Sequence, residues 1–445
     1  MKITRKHTVS YAGCDAGIAE LGWAQGEMLS YVQTRGPGNL LYVTKFSSLE
    51  GGTVDVAGVL EAIRLTVESN DAFRTRYLVE QGQWRQEIQG SGELSVAEIA
   101  APSPELDAAG VMAILGRFSP EPQEVPVRVA IVTFEGRPTH IYLAFHHASA
   151  DNMGTEIACQ QLRRRSLGLP VPAAWQPREI VAFEASPAGR ELAEKADKYH
   201  RARIRELAEF DLVPADRSRT PLREYQLASP AVVVAAEQIA QRVQVSPVSV
   251  TLAAYCTVLS ARLAVTRFPL AVASGNRFNP KTRMSIAKVA QASSFCVEVT
   301  SSFDDFCHQI SDAMLLAYRY GVYDPALMAK AFQDVDKDIS FPYLANFHLN
   351  TALESPDPEL RSAHLEVRPP ELRNLVKVGA FNVTNPGDGV RFCDLSLDIY
   401  KFSDQADMRL RTDLTFFSEA CLRDILISTE RLLVEIACGS DITNL

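Results

Sequence analysis

The sequence predicts a mixed α/β protein built as two lobes, and three observations carry that expectation. The chain has 445 residues, and at about 150 residues per domain this allows two or three domains. Strand-like alternation and helix-like periodicity both recur along its length. A proline-punctuated break at 169–177 then marks the expected linker. The expected lobes are 1–173 and 174–445.

In chain order, 40–46 reads as a strand. Val56, Val59, Leu60, Ile63 and Val67 fall at the spacing of one helix face, which ends near Asn70. Residues 77–88 read as strand, turn and strand around Gln81-Gly82-Gln83, and 104–115 contains a helix flanked by Pro and Ser. Residues 127–134 alternate as a strand, Glu135-Gly136-Arg137-Pro138 is turn chemistry, and 139–145 runs back. The helix at 153–167 stops at Gly168, and Pro170 and Pro172 forbid its continuation. A charged helix follows at 188–207.

The second lobe opens on a helix with Ser246 as N-cap and Pro247 at its first position, buried along Leu252, Cys256, Leu259 and Leu263. Residues 268–273 form a strand running into Gly275-Asn276-Arg277. Leu410, Thr412, Leu414 and Phe416 alternate with Arg409, Arg411 and Asp413 as a half-buried strand. The last helix buries Leu422, Ile425, Leu426, Leu432, Leu433 and Ile436.

Composition narrows the function. Hydrophobic residues make up 47% and charged residues 22%, enough for packed cores. The net charge of −9 argues against a phosphate-binding surface, so no nucleic-acid partner is expected. Cys14, Cys159, Cys256, Cys296, Cys307, Cys393, Cys421 and Cys438 form no C-x-x-C pair and no zinc-site spacing. No apolar run reaches the roughly 18 residues of a membrane span, and the basic N-terminus has no apolar segment behind it. The expectation is a cytoplasmic protein with no membrane partner. Phosphate-loop, dinucleotide-binding and serine-hydrolase patterns are absent.

The chemistry concentrates in His146-His147-Ala148-Ser149-Ala150-Asp151-Asn152, between the 139–145 strand and the 153–167 helix. Alternation puts Ile141, Leu143, Phe145 and His147 on one side and His140, Tyr142, Ala144 and His146 on the other. His147 stands where strand pairing gives out, and a neutral imidazole with an ordinary pKa of roughly 6.5 suits it to accept a proton. His146 reads as a buried, hydrogen-bonded residue. Asp151 has three open roles: orienting His147, capping the helix, or pairing with a distant arginine. Adjacent strand residues point apart and no third ligand is evident, so no metal site is expected. Arg163-Arg164-Arg165 complements the negative helix C-terminus, or alternatively meets a phosphate. His308, His348 and His364 have no evident partners in the sequence.

The HHxxxD pattern resembles the signature of the condensation-domain superfamily, which includes nonribosomal peptide synthetase condensation domains and chloramphenicol acetyltransferase. Leu21-Gly22-Trp23-Ala24-Gln25 resembles the family's opening segment, and Asn70 to Tyr77 (NDAFRTRY) resembles its RHExLRTxF stretch. Gly275-Asn276-Arg277 sits where the family places a Gly-x-Arg-like strand end. The resemblance implies two chloramphenicol acetyltransferase-like lobes in a V around a tunnel. It implies His146, His147 and Asp151 as the catalytic motif, Arg277 as the partner of Asp151, and Gln25, Ser293 and Ser294 as tunnel candidates. The sequence departs from the family at Asn152, where glycine is usual, and at 289–295, VAQASSF, where a V-G-x-F-x-N-T-like stretch is common. Asparagine tolerates positive φ, so the turn at Asn152 is expected to survive.

The implied reaction is acyl transfer from a thioester to an amine, or an alcohol, by a free-standing condensation enzyme of natural-product biosynthesis. No cofactor is expected to be bound. The donor would be presented on the phosphopantetheine of an acyl or peptidyl carrier protein. The alternatives are a coenzyme A-dependent O- or N-acyltransferase and a catalytically silent recruitment module.

Overall fold

The computed structural model describes residues 1–13, 15–35, 42–49, 54–115, 127–207, 222–335, 345–349, 358–387, 395–412 and 418–440. Expectations for Cys14, Cys393, Leu40, Leu41, Asp413, Leu414 and Phe416 lie outside the described residues. The first strands are β1 (Lys2–Tyr11), β2 (Gly17–Ala19), β3 (Tyr42–Ser48), β4 (Thr75–Glu80), β5 (Gln83–Ile88), β6 (Gly92–Ala100), β7 (Val127–Phe134) and β8 (Arg137–His146). Among and after them come α1 (Trp23–Arg35), α2 (Val56–Ser69), α3 (Ala108–Leu115), α4 (Asn152–Ser166), α5 (Pro177–Glu184) and α6 (Pro187–Leu207).

The later strands are β9 (Leu222–Ser229), β10 (Arg267–Ser274), β11 (Gln291–Glu298), β12 (Ala345–Leu349), β13 (Ala380–Gly387), β14 (Leu395–Phe402) and β15 (Ala406–Thr412). The helices between and after them are α7 (Pro230–Val243), α8 (Pro247–Leu263), α9 (Pro280–Arg283), α10 (Phe303–Arg319), α11 (Pro325–Gln333), α12 (Pro358–Leu365), α13 (Pro369–Leu375) and α14 (Glu419–Ala437).

The chain divides into two compact units, but not after residue 173. The first unit comprises Met1–Ala193 and Gly275–Ala290, and the second comprises Glu194–Ser274 and Gln291–Leu445. The 169–177 break is therefore interior to the first unit. Trp175 N donates to Lys281 O at 2.9 Å, and Trp175 and Ile180 pack with Ala287 and Val289. The division falls inside α6, and Gly275–Ala290 returns to the first unit as a strap.

In the first unit, five strands pair in the order β1-β6-β7-β8-β3, antiparallel except for β6 with β7, and β2-β5-β4 form a small antiparallel sheet. The alternation expected along β8 is present. Ile141, Leu143 and Phe145 pack with Val59, Ile63, Ile157 and Leu162 of α2 and α4, while Tyr142 and Ala144 pack with Val111 of α3. Burying each such aliphatic or aromatic side chain contributes about 1.5–3 kcal/mol. Asp55 caps α2 by accepting from Gly58 N, and Gly168 ends α4 at φ +67°. Both ends thus follow local side-chain and backbone chemistry.

In the second unit, seven strands run in the order β11-β10-β12-β14-β15-β9-β13, parallel where β12 meets β10 and β14 and antiparallel elsewhere. Helices α7, α8, α10 and α14 bury Val234, Leu252, Phe306 and Leu426 in one core with Leu270, Leu397 and Leu410 of the sheet. Ser246 caps α8 with Pro247 at its first position, as expected from the sequence. Among the described residues no single helix is long and apolar enough to cross a membrane. Cys159, Cys256 and Cys307 are buried free thiols.

Candidate active site

The β8–α4 loop is folded by its own polar groups. The N–H groups of Ser149 and Ala150 donate to His146 O at 2.8 and 3.3 Å, and Ala148 N donates to His146 Nδ1 at 3.2 Å. Accepting at Nδ1 places the proton of a neutral His146 ring on Nε2. The ring is 1% exposed and lies edge-on to Tyr42, with 6.0 Å between centroids. Burial pushes its pKa down to about 4. His146 therefore carries out the structural task expected of it, keeping the loop closed.

His147 is partly exposed and uses the opposite tautomer. Its Nδ1 donates to Ala150 O at 3.2 Å, so Nε2 keeps its lone pair, and Nε2 makes no hydrogen bond among the described residues. Burial, and after it the Lys288 ammonium, push the pKa down to about 4 against the opposing pull of Ala150 O and Asp151. Near neutral pH the ring is a neutral base with Nε2 free to take a proton.

Asp151 answers the three-way question from the sequence: it is both cap and ion-pair partner. Its Oδ1 accepts from Gly154 N at 2.7 Å, closing the first turn of α4, and from Arg277 Nη2 at 2.8 Å. Oδ2 accepts from Val289 N at 3.0 Å and Ala290 N at 2.9 Å. Asp151 N donates to Ala287 O at 3.3 Å. Burial alone would raise the carboxyl pKa, but Arg277, Lys288 and the N–H donors outweigh it and hold it at about 2. None of these bonds reaches His147, so Asp151 does not orient that ring directly.

Arg277 extends the network. Its Nη1 donates to Thr282 O and Ser285 O at 2.9 and 2.8 Å, and its Nη2 also donates to Ala287 O at 3.1 Å. Asn276, at φ +52°, turns the chain into the strap and donates from Nδ2 to Val289 O at 2.9 Å. The positive-φ turn expected at Asn152 is not there. Asn152 is the first residue of α4, and the extended conformation of Asp151, φ −81° and ψ −178°, makes the turn instead.

Gln25 reaches the loop through relays. Its Oε1 accepts from Gly22 N at 2.9 Å, and its Nε2 donates to Tyr77 OH at 3.4 Å. Tyr77 OH is 2.9 Å from Ser149 Oγ. The Asn70 to Tyr77 stretch is structural. Arg74, 2% exposed, donates to Val67 O, Asp15 O, Gln89 O and Asp71 Oδ1, and Asn70 Nδ2 donates to Gln161 of α4 at 3.1 Å.

Ser293 and Ser294 are buried in β11 of the second unit, where Ser294 O accepts from Tyr199 OH at 2.8 Å. They are not part of the loop network. Two of the three arginines ending α4 are tied down, Arg164 to Pro170 O and Arg165 to Ser69 Oγ, both at 2.7 Å, and Arg163 is exposed. His364 does have a partner, Glu237, at 2.5 Å. Among the described residues no three metal-ligating side chains gather. Lys288, an isolated lysine with no motif around it, was missed by sequence reasoning; its neighbours Ala287 and Val289 bond to Asp151.

A neutral imidazole nitrogen at a strand-to-helix loop, braced by a buried Asp–Arg pair, defines a site able to move one proton. No family model matches the chain. Solved structures match its fold: the condensation domain of the Monacolin K polyketide synthase MokA has a TM-score of 0.71 at 14% identity, over 96% of this chain and 98% of that one. SgcC5 from Streptomyces globisporus has a TM-score of 0.70 at 14% identity, over 95% and 99%. The first condensation domain of the calcium-dependent antibiotic synthetase has a TM-score of 0.67 at 17% identity, over 96% and 97%. The chain has the condensation-domain fold.

Proposed function

We propose that the protein is a condensation enzyme that transfers an acyl or aminoacyl group from a thioester to an amine, or to an alcohol, in natural-product biosynthesis. The donor is carried on the phosphopantetheine of a carrier protein. The observation that carries this reading is the state of His147: Nδ1 committed to Ala150 O, Nε2 basic and unbonded, and the ring neutral near pH 7. The fold supports it, being that of the condensation domains of peptide and polyketide synthases.

A thioester is already activated, so the site must position two substrates and manage a proton. The acceptor nitrogen attacks the thioester carbonyl carbon, forming a C–N bond, and the carbonyl π pair moves to oxygen. His147 Nε2 takes the proton that the nitrogen loses. When the tetrahedral centre collapses, the C–S bond breaks and the thiolate leaves, taking that proton from the imidazolium. Asp151 and Arg277 act by holding the loop, not by touching the reacting atoms.

The test is to incubate the protein with matched donors, the same acyl group on carrier-protein phosphopantetheine and on coenzyme A, with an amine panel. Amide formed faster from the carrier-bound donor is the expected result. Preference for coenzyme A would make it a soluble-thioester acyltransferase. Donor binding with no product would make it a recruitment module.

A further inference from the structure

Among the described residues, two side chains of the β8–α4 loop hydrogen-bond to elements beyond it. One is Asp151, which reaches the strap. The other is Ser149, whose Oγ lies 2.9 Å from the hydroxyl of Tyr77 in β4, each residue being 1% exposed. Backbone groups set the direction of this second tie. Gly22 N can only donate, so the Gln25 side-chain oxygen faces it at 2.9 Å, and Glu20 O can only accept, so the Gln86 amide nitrogen faces it at 2.7 Å. Gln25 Nε2 is thereby turned toward Gln86 Oε1 at 3.5 Å and Tyr77 OH at 3.4 Å. Receiving that hydrogen, Tyr77 OH passes its own to Ser149 Oγ.

Ser149 sits at the crown of the turn that governs His147. Ser149 N and Ala150 N both donate to His146 O, at 2.8 and 3.3 Å, which closes the turn, and His147 Nδ1 donates to Ala150 O at 3.2 Å. The placing of the turn therefore decides where Ala150 O stands, and that oxygen decides which ring nitrogen carries the hydrogen. A ring released from Ala150 O is free to carry its hydrogen on Nε2, where it cannot accept another. The backbone bonds give the turn its shape, and the side-chain ties give it its place. Both hydroxyls are buried, so cutting the bond between them leaves the survivor unsatisfied and favours a different turn.

We propose that Tyr77 is a positioning residue for His147: its hydroxyl, donating to Ser149 Oγ, pins the turn so that Ala150 O keeps the ring hydrogen on Nδ1 and Nε2 stays free to accept. Tyr77 acts through Ser149 and touches no reacting atom. The inference rests on the acyl-transfer reading for its purpose, but not for its test.

The test is ring-nitrogen NMR of the full chain labelled with 15N at histidine, at pH 7, with the His147 signals assigned by their loss in His147→Gln. In the parent, Nδ1 reads as protonated and Nε2 as unprotonated. In Tyr77→Phe and in Ser149→Ala the ratio of the two ring forms moves toward Nε2–H by about tenfold or more, the equivalent of one buried hydrogen bond. Both substitutions cut the same bond, so the double variant moves no further than either single one. An unchanged His147 ring in the folded variants would overturn the proposal even where urea unfolding shows them less stable, because a purely structural bond loses stability without altering the ring. Additive shifts in the double variant would overturn it as well. If Tyr77→Phe does not fold, Ser149→Ala, which leaves the backbone bonds of Ser149 in place, decides by the same signals. The measurement needs no substrate, so failure of the acyl-transfer reading leaves its result unchanged.

Discussion

Among the described residues the Asp151 carboxylate accepts four hydrogen bonds, and none comes from the residue proposed to do the chemistry. Asp151→Asn would replace one acceptor oxygen by an NH2 group, which must face either the Val289 and Ala290 N–H groups or Gly154 N and Arg277. Breaking a buried pair by removing one partner costs about 3–5 kcal/mol, so urea unfolding of Asp151→Asn should show a loss of that order. A fully stable but inactive variant would instead give Asp151 a direct chemical role. For His147 the pH consequence is kinetic. With a pKa of about 4, the acid limb of kcat/KM should lie well below pH 6, whereas a limb near 6.5 would mean an unperturbed ring. The loop residues were legible because they stand at the end of a readable strand, whereas the Arg277 pairing was implied only by the family resemblance of Gly275-Asn276-Arg277. Lys288 was not legible, since nothing in a single lysine announces its neighbours.

At the scale of elements, the working part is α4 held against the strap, and Gly154 is where they meet. A Cβ at Gly154 would lie 2.7 Å from Ala287 O and 3.1 Å from Ala287 N, both backbone atoms, the carbonyl held in place by Asp151 N and Arg277. Gly154→Ala should therefore cost about 1–3 kcal/mol through overpacking and lower the melting temperature. Gly26 in α1 provides the contrast, since a Cβ there meets nothing within 4 Å. Gly26→Ala should be neutral or stabilising, by up to about 1 kcal/mol; equal losses at both glycines would contradict the packing argument. Amphipathic periodicity located α2 and α14, which each bury one face, whereas α8 is buried nearly all round among α7, α10 and α14. The strap's place was hidden for the opposite reason: Gly275–Ala290 has little regular structure, and its position is set by bonds to Asp151 more than a hundred residues away.

Across the whole molecule, burial pushes the pKa values of His146, His147 and His200 down to about 4. The sign follows from linkage: below about 6.5 the unfolded chain binds protons that the native rings refuse, so stability falls as pH drops toward 4. Each ring contributes a slope of about 1.4 kcal/mol per pH unit in that window. Asp151 adds its own loss only lower, as pH falls from about 3.8 through about 2. Chemical unfolding at pH 7, 6 and 5 should show steadily declining stability, and a flat profile would mean that these rings are not buried neutral. The expectation of two α/β lobes survives at this scale, but the 169–177 break misled because proline ends a helix without separating domains. The seven-strand order of the second unit was invisible, since its parallel pairs join segments distant in sequence and carry no local turn signal.

The proposed acyl transfer turns on one nitrogen, His147 Nε2, accepting a proton from the acceptor. The most direct measurement is single-turnover amide formation from a carrier-bound thioester by the parent and by His147→Ala, with folding of both checked by circular dichroism. A rate about 10²- to 10⁴-fold lower in the variant is predicted. Equal rates from two folded proteins would contradict it.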